Sequence, residues 1–219
     1  MIEHPILFNA EMVRAILNGK KTQTRRVFKL PKDHEFGSDY DGQIVYQKII
    51  GECSIDELAC PYGQTGDSLW VRETCRAEEL PYSGWEDGVR YLADDHWRVI
   101  ENTKDAADAW VELNSYRGKK GAVVPSIHMP RWASRILLEI TNVSVERLNE
   151  ISESDAKSEG VYLHTDGNYT NYLSQTGYAL NAKSSFLSLW ESINGPDSCD
   201  ANPWVWVIEF KVIELKGGV

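Results

Sequence analysis

The chain has 219 residues and is 42% hydrophobic, enough apolar material for a packed core, which excludes global disorder. Its 23 Lys and Arg stand against 33 Asp and Glu, and the formal net charge of −10 opposes non-specific binding to long nucleic acids, which depends on neutralising phosphates. Met1-Ile-Glu-His-Pro5 carries no basic-then-apolar leader and no apolar run approaches bilayer length, so neither a secretory signal nor a membrane span is expected and the chain reads as cytoplasmic.

In chain order, the apolar segment Pro5 to Phe8 predicts a short strand. Asn9 then caps a helix over 10–18 whose apolar residues Met12, Val13, Ile16 and Leu17 share a face, with Gly19 as its left-handed stop. Thr22 to Val27 reads as a strand that puts Thr22, Thr24 and Arg26 on one face and Gln23 and Arg25 on the other. Residues 31–42 read as a loop, 43–50 as a strand, and 68–73 as a strand after the tight turn Gly63–Asp67. A surface loop over 76–88, a strand over 89–93, a helix over 105–113 and a loop over 115–121 follow. Arg135 to Glu146 is β-branched and alternating, hence a strand. Ser152 and Asp155 have capping-box spacing for a short helix that Gly160 closes. The polar, tyrosine-containing stretch 163–179 reads as an insertion or mobile loop. Phe186, Leu189, Trp190 and Ile193 fall at helical spacing before Gly195-Pro196, and Trp204 to Leu215 is a final strand. Short strands without a βαβ rhythm, and no splitting linker, indicate a single α+β domain built on a mixed barrel.

The densest chemistry is Gly19-Lys-Lys-Thr-Gln-Thr-Arg-Arg26 at the first helix-to-strand junction. Four cations and two hydroxyls there suit an anionic or planar polar ligand, or a nucleophile beside its base, although charge runs are commonly solvated surface. Lys21 and Thr24 form the candidate pair: a threonine hydroxyl attacks only when a base removes its proton, and a lysine serves once its pKa is lowered. Lys20, Arg25 and Arg26 add charge around them. Spacing alone does not choose a carboxylate as proton shuttle. Trp70 and Arg72 share a strand face and, with Glu73, could sandwich a base; the alternative is a core tryptophan beside a salt bridge. Arg131 with Trp132, and Trp204, stand next to prolines and read either as pocket walls or as core. His128 reads as a general base or, more commonly, a structural group. Cys53, Cys60, Cys75 and Cys199 contain no Cys-x-x-Cys pair and the five histidines lack ligand spacing, so neither a metal nor a cofactor is expected.

Leu17–Arg26, Gly66–Glu73 and Trp204–Phe210 together resemble the ASCH domain, a PUA-like β-barrel. Cys60–Gly63, Ser126–Arg135 and Ala201–Trp206 are similar to its larger phage and prophage versions. The resemblance spans nearly the whole chain, with insertions near 30–60, 76–122 and 163–180, and implies a PUA-like barrel with short peripheral helices. It implies a nucleoside- or RNA-directed activity: small bacterial members are amidohydrolases that remove acetyl from 4-acetylcytidine with a lysine, a threonine and a glutamate. Carried over, these are Lys21, Thr24 and Glu159, the last in Asp155-Ala-Lys-Ser-Glu159. Thr24 would attack the acyl carbonyl, Lys21 activate it, Glu159 shuttle protons to the leaving amine and Arg26 face the oxyanion. The implied substrate-binding set is Lys20, Arg25, Arg26, Trp70, Arg72, Glu73, Arg131, Trp132 and Trp204. The same resemblance leaves a non-enzymatic reader of RNA or a modified nucleobase, or a ribonuclease, as alternatives, and protein partners unknown.

Overall fold

The structure, a computed structural model, describes residues 2–29, 34–38, 44–48, 55–56, 60–80, 86–174 and 177–217. Among these, the elements run β1 (Glu3–Leu7), α1 (Ala10–Leu17), β2 (Gln23–Val27), β3 (His34–Ser38), β4 (Ile44–Lys48), β5 (Ile55–Asp56) and β6 (Ser68–Arg72). They continue with β7 (Cys75–Leu80), β8 (Glu86–Tyr91), β9 (Trp97–Val99), α2 (Lys104–Asn114), β10 (Ile136–Arg147) and α3 (Glu153–Ser158). Last come β11 (Tyr169–Thr170), β12 (Tyr178–Ala179), α4 (Ala182–Asn194) and β13 (Trp204–Leu215). The class is α+β, with the strands in several sheets; no closed barrel is present among the described residues.

The chain divides into two compact units, the first made of Met1–Gly19, Gly66–Glu139 and Lys211–Val219, the second of Lys20–Thr65 and Ile140–Phe210. In the first unit β1 runs parallel to β6, and β6 antiparallel to the start of β10, with Leu137 opposite Trp70. Helix α1 starts where the Asn9 side chain accepts from the Met12 amide at 2.9 Å. It ends at Gly19, whose φ of +66° is the left-handed conformation that a glycine adopts without a Cβ penalty. The segment 76–88, expected as a loop, instead supplies most of an antiparallel β7–β8 pair. Its apolar alternation is short: Cys75, Ala77, Val89 and Tyr91 are buried against Trp110 of α2 and Met129, while Arg76 and Glu78 lie outside. Gly88 sits so close to the Trp97 ring that a Cβ there would lie 2.3 Å from it.

In the second unit the order is β10-β13-β2, with β2 antiparallel to β13 and Thr24 opposite Ile208. The core gathers Leu148, Ile151, Phe186, Trp190, Val205 and Val207. Ile193, expected on the buried face of α4, is 54% exposed, because the last turn before Gly195 runs past that core. Residues His34–Ser38, expected within a loop, form a strand paired with β4; a polar sequence does not announce a ladder that its backbone makes. The expected loop 163–179 contains the β11–β12 hairpin, since Ser185 and Ser188 on α4 bond its backbone at Thr170 O (2.6 Å) and Tyr172 N (3.0 Å).

Candidate functional site

The second unit buries a cluster of charges around Glu159. Strand β2 brings Gln23 and Arg25 to one side by alternation, Lys21 stands just before it, and helix α3 ends on Glu159 as its C-cap residue. The two are tied by the backbone: Lys21 and Glu159 form an isolated antiparallel bridge, and the Thr22 amide donates to Ser158 O at 2.8 Å. Ser152 opens α3 by accepting from the Asp155 amide at 3.1 Å, which caps the helix at the end opposite Glu159.

Lys21 Nζ donates to Glu159 Oε2 at 2.6 Å, to Glu159 O at 2.8 Å and to Gln23 O at 2.8 Å. Three acceptors are as many as an ammonium has protons, and Lys21 is only 1% exposed. Burial pulls Lys21 below the ordinary lysine value of 10.5, and the attraction of Glu159 only partly opposes it. The other oxygen of Glu159, Oε1, accepts from Arg25 Nη1 at 3.2 Å. Arg25 is held in turn by Glu146 Oε1 (2.7 Å from Nε) and Gln23 Oε1 (2.7 Å from Nη1), with Asp155 3.8 Å away. Burial also lowers the Arg26 guanidinium from its usual value, against the pull of Tyr62 and Glu159.

Thr24 is 2% exposed, and by alternation within β2 its side chain takes the face opposite Gln23 and Arg25. None of the three acceptors around Lys21 Nζ belongs to it. Lys21 and Glu159 are therefore brought together and Thr24 is not joined to them. Lys20 is exposed, its ammonium 6.0 Å from the centre of the Tyr162 ring. Trp204 carries the Arg147 guanidinium 4.3 Å above its ring.

The remaining predicted residues lie in the first unit. Trp70 is half-buried with the guanidinium carbons of Arg72 at 5.4 Å and Arg131 at 5.9 Å from its ring centre. Arg72 also donates to the Ile127 carbonyl, and Arg131 is paired with Glu3 at 2.6 Å and 3.0 Å. Glu73 is 1% exposed and both its oxygens accept from Arg135, at 2.8 Å and 3.0 Å, which fills the positions a base amine would use. Arg135 also bonds both oxygens of Asp94 at 2.9 Å. Trp132 packs against the first core and its carbonyl accepts from Arg98 at 3.1 Å. The His128 ring lies against Tyr116, centroids 5.6 Å apart.

Glu146, Gln23 and Arg135 were not singled out by the sequence. Glu146 lies next to the end of the long strand β10 and becomes an Arg25 partner only through folding; Arg135 stands just before that strand, without a partner in the sequence to mark it. Cys60, Cys75 and Cys199 are free, Cys53 lies outside the described residues, and among those described no group of three His, Cys, Asp or Glu is placed to hold a metal. No helix of the described residues is long and apolar enough to cross a membrane. No protein-family model, curated protein or solved structure matches this chain.

Proposed function

We propose that the chain is an ASCH-type, PUA-like hydrolase that removes an acyl group from a modified pyrimidine such as 4-acetylcytidine. The observation that carries this reading is the buried Lys21–Glu159 pair, 2.6 Å apart, on the motif that the ASCH resemblance marks. Burying two opposite charges costs several kcal/mol per ion before pairing, so such a pair in a small α+β unit is a candidate for chemistry rather than for stability alone. In the proposed reaction the buried lysine passes a proton along the short bond to Glu159 and becomes a neutral amine. That amine takes the Thr24 proton as the hydroxyl oxygen attacks the acyl carbon. Arg26 faces the oxyanion, and protonated Glu159 gives its proton to the pyrimidine amine as the C–N bond breaks. Water then cleaves the Thr24 ester, releasing the carboxylic acid and restoring the hydroxyl. The step requires Thr24 to reach Lys21 Nζ with substrate bound, a contact that commonly tightens only in the substrate complex.

Incubation with 4-acetylcytidine, followed chromatographically, tests this: the parent releases cytidine, and Thr24→Ala and Glu159→Gln lose on the order of 10²–10⁴-fold. A parent that releases none overturns the hydrolase. A second reading, a non-catalytic binder of the modified base, is favoured by the three acceptors that already surround Lys21 Nζ. It predicts that Thr24→Ala binds the nucleoside as tightly as the parent and that neither turns it over.

A further inference from the structure

Tyr162, His164 and Tyr178 form a small aromatic platform. The Leu163–Tyr169 bridge and the Thr170 amide on Tyr162 O (3.0 Å) lay the stretch after Gly160 against the β11–β12 hairpin. Tyr162 and His164 thus share one side, and Tyr178 comes from the strand opposite Thr170. The His164 ring meets Tyr162 edge-on at 4.8 Å and Tyr178 edge-on at 5.3 Å, and its Nε2 lies 3.0 Å from the Thr170 hydroxyl. Perpendicular packing engages ring edges without stacking the tyrosines on the histidine, and Tyr162 and Tyr178 are 52% and 56% exposed.

This platform adjoins the charged cluster through the backbone. The Lys21–Glu159 bridge places Lys20, one residue earlier, beside Tyr162, three residues after Glu159, with the ammonium 6.0 Å from the ring centre. We infer that Tyr162 and Tyr178, braced by His164 between them, stack a nucleobase adjoining the target pyrimidine, while Lys20 contacts the linking phosphate, so that a pyrimidine in a short single strand is held more tightly than the free nucleoside. The inference rests on the reading that the Lys21–Glu159 cluster takes a pyrimidine. Exposed tyrosine faces accept any base, and the Lys20 ammonium beside Tyr162 suits one phosphate, which a chain of net charge −10 tolerates where it would repel a long polyanion. Exposed Leu173 and Leu180 lie close by along the chain, so the alternative, an apolar protein surface, is an outcome of the test.

Fluorescein-labelled octamers, oligo-uridine RNA and oligo-thymidine DNA, are titrated by anisotropy with the parent and with Tyr162→Ala, Tyr178→Ala, Tyr178→Trp and Tyr178→Leu. The parent binds at least one octamer, each alanine variant weakens binding roughly 10-fold, Tyr178→Trp keeps it and Tyr178→Leu does not. The preferred octamer identifies the strand as RNA or DNA. The inference is overturned if neither octamer binds, if the alanine variants bind as the parent does, or if Tyr178→Leu matches the parent, which marks an apolar protein surface. Tryptophan and leucine keep side-chain bulk, so their contrast survives a hairpin loosened by alanine. Tyrosine-dependent octamer binding without cytidine release from 4-acetylcytidine sinks the hydrolase and leaves the platform standing.

Discussion

Two buried charge clusters of similar make-up hold their protons differently. Around Glu73 the cation is Arg135, whose guanidinium binds both oxygens of Glu73 and both of Asp94 and lies 4.2 Å over the Tyr91 ring. Burial works against that charge, but the hydrogen bonds of Glu73 and Asp94 outweigh it and raise Arg135 above its ordinary value. Around Glu159 a lysine holds one oxygen and Arg25 the other, and there burial wins and lowers the lysine. A planar fork matched to two carboxylates is a fixed clamp that keeps its proton; a lysine weakened by burial is a group that can pass one on. Similar composition thus yields a cation whose proton is held more tightly in one unit and a cation whose proton is held less tightly in the other.

The largest expected effect is Arg135→Ala, which strands Glu73 buried without its cation and costs about 3–5 kcal/mol in urea unfolding. A loss below about 1 kcal/mol would mean Glu73 finds another partner or water, and the clamp description fails. Lys21→Met is expected to cost less, about 1–3 kcal/mol, because Glu159 keeps Arg25. Its turnover of 4-acetylcytidine falls by about 10²-fold or more. Equal destabilisation of the two variants, with turnover kept in the lysine one, would break the comparison.

Alkaline pH separates the clusters by sign. A lysine whose folded pKa is depressed below 10.5 binds fewer protons folded than unfolded, so its contribution to stability grows as pH rises toward 10.5. In the first unit the sign reverses. Burial pushes the Cys75 thiol from 9.0 up to about 12, and the Tyr91 phenol from 10.0 to about 12. Their contribution is whole below those unfolded values and is lost as pH climbs toward 12. Urea midpoints between pH 8 and 10.5 should therefore rise for the parent relative to Lys21→Met, and fall for the parent relative to Cys75→Ser. The same slope in both differences contradicts the assigned directions. The smallest effect is Ser152→Ala, which removes the cap of the helix ending on Glu159 and costs about 1 kcal/mol. No change in the melting temperature would show that the Lys21–Glu159 bridge fixes the carboxylate without the cap.

Local signals in the sequence determined local structure. Asn9 and Gly19 bounded α1, Ser152 and Asp155 marked α3, and the alternation of β10 and β13 named both long strands, because caps and periodicity act within a few residues. The same logic misread 76–88 and 163–179, where the partner that makes a strand is on α2 or α4, beyond the reach of caps and periodicity. The Lys-Thr-Arg motif was legible as the densest chemistry, and Glu159 came into view through resemblance alone, since no spacing selects one carboxylate among 33 acidic residues. Only the tertiary structure decided that Lys21 meets Glu159 while Thr24 does not, that Arg25 rather than Arg26 hydrogen-bonds the second oxygen of Glu159, and that Glu73 belongs to Arg135. Those outcomes turn on which strand face meets which helix end, and on how much water burial removes from each charge. Both are set by residues more than 60 positions apart, as in the Glu73–Arg135 pair, whose separation is 62, and the Lys21–Glu159 pair, whose separation is 138.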